Sequence, residues 1–135
     1  WIAVGSQDSK VYIYRVEQMD HGRSKGLNVS HISTLNQHYS PITAIDFSED
    51  SQFVKVNCSH NLHFFNVEDG NHIEDVSSIK DVKWKTHHCS RSWDMQGIWY
   101  DSTGDGAAVN CVDSWIGVGK NIVVAGFSNG RLELN

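Results

Sequence analysis

The sequence predicts an all-β fold built from short antiparallel strands, and two observations carry that prediction. The first is the stretch from Ser40 to Gly70. Ile42, Ala44 and Phe47, then Phe53, Val54 and Val56, then Leu62, Phe64, Phe65 and Val67 form three apolar runs. Ser48-Glu49-Asp50-Ser51 and Ser59-His60-Asn61 separate them, and Glu68-Asp69-Gly70 closes the last. β-Branched and aromatic runs punctuated by Asp, Ser, Asn and Gly read as a meander of hairpins. The second observation is internal repetition, which decides architecture when it is present. Ile2-Ala3-Val4-Gly5, a polar turn at Asp8-Ser9-Lys10 and Val11-Tyr12-Ile13-Tyr14 recur as Ile122-Val123-Val124-Ala125, Ser128-Asn129-Gly130 and Arg131-Leu132-Glu133-Leu134, with Ile2 falling on Ile122. A sheet of this kind has two apolar faces and needs a neighbour on each.

Taken in order, residues 1–16 supply two strands that end one repeat. Arg15 to Ser33 is polar and reads as a long surface connection, with an outer strand near Val29 to Leu35. Residues 36–76 form one full repeat, whose Phe53 to Phe65 portion falls on Ile2 to Tyr14. Residues 77–121 form an elongated repeat. Its opening strand, Ile79-Lys80-Asp81-Val82-Lys83-Trp84, falls on Ile42 to Phe47. Residues 122–135 begin a further, truncated repeat.

Bulk composition narrows the function classes. The 135 residues suit one domain, and 39% hydrophobic with 20% charged residues is a globular composition. One proline and 11 glycines suit tight turns. A net charge of −5 supplies no global basic field, so neither nucleic acid nor a membrane is expected as a partner. Cys58, Cys89 and Cys111 are odd in number and widely spaced, which argues against a disulfide framework and for a reducing compartment. No apolar run approaches the roughly 20 residues that span a bilayer. The chain opens inside a strand, without a signal-peptide layout.

A histidine shortly before Ile42-Thr43-Ala44-Ile45-Asp46-Phe47-Ser48-Glu49-Asp50 resembles the opening of a WD repeat, whose usual text is Gly-His, then a strand ending in Phe-Ser-Pro-Asp. In that family four antiparallel strands make each blade of a β-propeller. Asp8 fits the family's Asp in the turn between the second and third strands, where His60 or Asn61 and Asn129 stand in the other repeats. Tyr14, Phe65 and Leu134 stand where the family has Trp. From Ser78 onward the pattern is similar to the EMAP-like (echinoderm microtubule-associated-protein-like) proteins. It shows Asp81-Val82-Lys83-Trp84-Lys85-Thr86, Cys89, Gly97-Ile98-Trp99 and Gly104-Asp105-Gly106 before Val109-Asn110-Cys111-Val112. Tyr100 replaces that family's usual Pro, and Lys83-Trp84-Lys85 replaces an acidic version. The resemblance implies an incomplete WD-repeat propeller of four-stranded blades, since propellers close with about four to eight blades.

No enzyme or cofactor signature accompanies it. His87-His88-Cys89 offers one arm of a metal site, and no second pair matches it. Neither a Gly-x-Ser-x-Gly elbow nor a phosphate loop occurs, and Asp101, Asp105 and Asp113 are too sparse for a calcium loop. Trp84, Trp93, Trp99 and Trp115 read as packing and turn residues, with Trp93 or Trp115 as an exposed aromatic anchor. The resemblance therefore implies a non-enzymatic docking platform for tubulin or microtubules and other proteins, in the cytoplasm on the cytoskeleton, the cilium included. A scaffold role in another assembly is the alternative. Tubulin is strongly acidic, so contacts are expected from local cations: Arg23 and Lys25 in the long connection, and Lys80, Lys83, Lys85 and Arg91 beside the insert.

Overall fold

In the computed structural model, residues 1–20, 25–59, 61–90, 109–117 and 120–134 are described. They form three consecutive antiparallel sheets, each strand pairing with the next in the chain. The first sheet holds β1 (Ile2–Gly5), β2 (Val11–Asp20) and β3 (Lys25–Leu35); the second holds β4 (Ile42–Phe47), β5 (Phe53–Cys58) and β6 (Asn61–Asn66). The third holds β7 (Val109–Gly117), β8 (Lys120–Phe127) and β9 (Leu132–Leu134). This is the all-β architecture of a partial propeller.

One turn recurs through the chain and explains why short polar links suffice. A side-chain oxygen of Asp8, Asp50, Asp69 or Asn129 accepts the backbone N–H two residues on, from Lys10, Gln52, Asn71 or Arg131, at 2.9–3.2 Å. The residue between is left-handed in each case: Ser9 (φ 64°), Ser51 (φ 60°), Gly70 (φ 70°) and Gly130 (φ 84°). Asp and Asn favour such turns because their side chains imitate a backbone acceptor. The shared geometry places Asp8 on Asn129, so the first and last hairpins correspond one residue further along than the Ile2-on-Ile122 match.

Alternation along β5 distributes the core. Val54 and Val56 face the first sheet, where they join Val11, Ile13, Leu35, Phe65 and Val67, with Ala3, Ile42, Ile45 and Phe47 packed alongside. The cluster at this seam between neighbouring sheets is apolar, and burying each such side chain is worth roughly 1.5–3 kcal/mol. The backbones approach closely here. A Cβ on Gly5 would sit 2.7 Å from Ile42 Cγ2, so the residue ending β1 has no room for a side chain. Outside the seam, Leu132 and Leu134 on β9 are 74% and 71% exposed, apolar groups of the kind a neighbouring blade would cover.

Four features differ from the sequence reading. The surface connection expected over Arg15 to Ser33 is largely strand, since β2 runs on to Asp20 and β3 begins at Lys25. Among the described residues each sheet has three strands, where the blade pattern has four. On the second sheet the fourth is reduced to one bridge, Phe65 to His72, because the chain turns away into a short 3₁₀ helix, Val76–Ile79, capped by Asp75. The strand expected over Ile79 to Trp84 is instead that helix, a turn and a single bridge from Trp84 to Ser48. Its apolar residues Ile79, Val82 and Trp84 pack on Phe64, Phe53 and Leu62, so they cover a sheet face rather than build a new sheet. The last sheet takes in Val109–Gly117, which pairs with β8 and moves the start of that blade ahead of residue 122.

Candidate functional site

The second sheet's outer face carries the most unusual chemistry in the molecule. Asp46 on β4 and Lys55 on β5 are cross-strand partners on that face, and both are essentially without solvent exposure. Lys55 Nζ lies 3.8 Å from Asp46 Oδ2 and 4.7 Å from the centre of the Trp84 ring, so a carboxylate and an aromatic face share its charge. A buried ion is tolerable only when its remaining positions are hydrogen-bonded. Asp46 meets that condition using one segment of chain. Its Oδ1 accepts from the Thr86 hydroxyl (2.6 Å), the His88 backbone N–H (2.9 Å) and His88 Nδ1 (3.0 Å); its Oδ2 accepts from the Cys89 N–H (2.8 Å). Burial opposes ionisation of Asp46. The Thr86 hydroxyl, the amides of Cys89 and His88 and the Lys55 charge outweigh it, holding the carboxyl below its usual value. Cys89 is buried beside this carboxylate. Burial first, and Asp46 second, push its thiol well above the ordinary range, and it donates to the Lys55 carbonyl at 3.5 Å. That thiol is inert.

The segment so held runs from the 3₁₀ helix to Cys89, and its residues alternate between inward and outward. Ile79, Trp84 and Cys89 are buried; Lys80, Lys83 and Lys85 are exposed. Two backbone bonds fasten it along β4, from Glu49 N–H to the Lys83 carbonyl and from Lys85 N–H to the Phe47 carbonyl, each 2.8 Å. A groove of about 450 Å³ opens beside it, lined by Glu49, Asp50, Ser78, Asp81, Val82 and Lys83. The three lysines are thus exposed along this fastened segment, Lys83 with the carboxylates of Glu49, Asp50 and Asp81 for neighbours.

The other sequence-derived candidates are not gathered there. Lys25 opens β3 in the first sheet, paired with Asp20 at the far end of the β2–β3 hairpin. Arg23, Arg91, Trp93 and Trp99 lie outside the described residues. Trp84 is a packing residue, whereas Trp115 on β7 is 61% exposed. Among the described residues no group of three or more His, Cys, Asp or Glu is placed to hold a metal ion, and no helix is long and apolar enough to cross a membrane. Three imidazoles do meet at the inner face: His38 packs edge-on to His63 at 5.3 Å, and His63 Nδ1 lies 3.3 Å from His72 Nε2. Burial, and then the neighbouring His63, lower the His38 pKa to about 4.

Sequence reasoning gave no role to Asp46, Lys55 and Thr86, and weighed His88 only as one arm of a metal site. The available signal was charge inside apolar strands: Asp46 within Ile-Thr-Ala-Ile-Asp-Phe and Lys55 between Val54 and Val56.

The family model described as the echinoderm microtubule-associated protein second β-propeller matches residues 1–135. The chain belongs to that family. Its members are WD-repeat propellers, a non-enzymatic scaffold family. Echinoderm microtubule-associated protein-like 2 of Rattus norvegicus is 30% identical over 113 residues, covering 83% of this chain and 16% of the relative. Echinoderm microtubule-associated protein-like 4 of Xenopus laevis is 28% identical, covering 82% of this chain and 11% of the relative. The ciliary WD repeat-containing protein ctxp80 of Euplotoides octocarinatus is 32% identical over 114 residues, covering 83% and 14%. This propeller segment therefore spans less than a fifth of the length of these curated relatives.

Proposed function

We propose that this chain is a propeller segment of a non-enzymatic, microtubule-associated protein and that its surface docks on tubulin. The names of its relatives support microtubules as the partner and the cytoskeleton, cilia included, as the location. The observation that carries the docking reading is the strip of Lys80, Lys83 and Lys85, exposed on a segment whose apolar residues are buried. In a chain of net charge −5, attraction to an acidic surface has to come from such local cations. Arg23, Lys25 and Arg91 are further contacts in this proposal.

The test is co-sedimentation of the full-length protein with polymerised tubulin. Replacing Lys80, Lys83 and Lys85 by Glu is expected to weaken binding by about tenfold or more, given roughly 0.2–1 kcal/mol for each exposed charge contact. The wild-type affinity is expected to fall as salt rises. Unchanged binding by the reversal variant would discard this contact surface. The carboxylates of Glu49, Asp50 and Asp81 beside Lys83 favour a second reading, a WD-repeat scaffold in another assembly without direct tubulin contact. Equal capture of the protein by polymerised and unpolymerised tubulin controls, both at background, would favour it.

A further inference from the structure

We infer that Asp46 is the positioning residue for the lysine strip: it holds the segment from Trp84 to Cys89 on the sheet, so that Lys80, Lys83 and Lys85 are presented in one fixed array. The inference rests on the docking reading above and assigns its rigidity to a single carboxylate. Asp46 accepts from Thr86, His88 and Cys89, all within four residues after Lys85. The strip's other end is pinned by Ile79, 1% exposed, under Phe64 and Trp84. Between these two points the chain is held by the backbone bonds to Phe47 and Glu49 and by Trp84, buried against Phe64 and Lys55.

The geometry is selective in a way that apolar packing is not. Four donors from three residues converge on two oxygens, so the segment can sit in one register only. A slide by one residue would remove the Thr86 hydroxyl and the His88 imidazole together, the two donors a neighbouring backbone amide cannot replace. Lys55 beneath adds the charge that keeps Asp46 a full acceptor, and Trp84 covers Lys55 from the segment's own side. Charged hydrogen bonds of this kind are stronger than neutral ones. For an ionic contact the consequence is preorganisation. Three lysines held in one array need not be ordered on binding, and that lowers the entropic cost of association.

The Thr86 hydroxyl is the contact to test, because it can be removed without leaving Lys55 unpaired. In the full-length protein, Thr86→Val is expected to raise hydrogen exchange at the His88 and Cys89 amides by at least tenfold. It is also expected to weaken microtubule co-sedimentation by about threefold, with exchange in β5 unchanged. Thr86→Ser, which keeps the hydroxyl, is expected to restore both. Faster exchange with unaltered binding would overturn the positioning role while leaving the lysine contact standing. Unaltered exchange in Thr86→Val would overturn Asp46 as the anchor. Loss of binding that Thr86→Ser does not restore would likewise overturn it, since the hydroxyl would then not be the relevant group. The Lys80, Lys83 and Lys85 reversal separates the two layers: it changes binding without changing exchange, and if it changes neither, the docking reading itself fails.

Discussion

The two faces of the second sheet are buried by opposite means. The inner face meets the first sheet through Val54, Val56, Phe65 and their apolar partners, with no charge in the cluster. The outer face is closed by a loop rather than a sheet, and at its centre lies the Asp46–Lys55 pair under Trp84. Apolar packing is non-directional, so the inner face supplies stability to any well-filled neighbour. A buried ion pair supplies little net stability against an apolar replacement, yet it punishes every misplaced partner. The comparison teaches that the seam holds the blades together, whereas the polar face specifies where one segment goes.

The sharpest break of that contrast compares Asp46→Ala with Phe65→Ala. Each is expected to cost about 3–5 kcal/mol, the first by stranding the Lys55 charge and the second by leaving a cavity. Adding Lys55→Met to Asp46→Ala is expected to recover most of the loss in thermal unfolding of the full-length protein, since the stranded charge is then gone. No single change on the opposite strand should rescue Phe65→Ala. A double variant no more stable than Asp46→Ala would show that the outer face is not organised by its charges.

The faces should also separate with pH. His38, 6% exposed at the inner face, ionises only near pH 4 in the folded protein against 6.5 for an ordinary histidine. The unfolded chain therefore takes up a proton between pH 6.5 and 4 that the folded chain refuses, and stability falls with pH across that window. His63 and His72 face the same ring and oppose its charge. Asp46 is shifted in the same direction, and only its window lies lower. Its depressed pKa contributes stability above the ordinary value of 3.8, and that contribution is lost only below it. His38→Phe is expected to reduce the fall of the unfolding midpoint between pH 6.5 and 4 without altering the decline below 3.8; the remainder belongs to His63, whose pKa burial also lowers. A slope unchanged by the substitution would remove His38 from the account.

The smallest effect is expected at the rim. Arg15 and Glu68 join the first sheet to the second at 3.2 Å, with side chains 38% and 79% exposed. Arg15→Ala is expected to cost well under 1 kcal/mol, and less in high salt. A larger loss would mean that the seam depends on its rim.

Much of this molecule was legible from particular residues. The apolar runs Ile42 to Phe47, Phe53 to Val56 and Leu62 to Val67 became β4, β5 and β6, the last beginning at Asn61, which the sequence reading left in the turn. The polar link at Asp8 recurs at Asn129 because both side chains imitate a backbone acceptor. Ile79 to Trp84 misled for a physical reason: Ile79, Val82 and Trp84 are apolar because they cover a face, and burial alone does not distinguish a lid from a strand. Of the candidate site, the exposed lysines were visible as charges, but the carboxylate beneath them was not.

Local pattern therefore determined the strands, their turns and the need for neighbouring sheets, because period-two alternation and left-handed turn positions are properties of a few consecutive residues. Only the folded chain decided that Asp46 and Lys55 are buried together and that Thr86, His88 and Cys89 close over them. Their partners lie some forty residues away in the chain, at separations of 40, 42 and 43. Desolvation is set by what comes to rest on top of a side chain, and no short window of sequence contains that information.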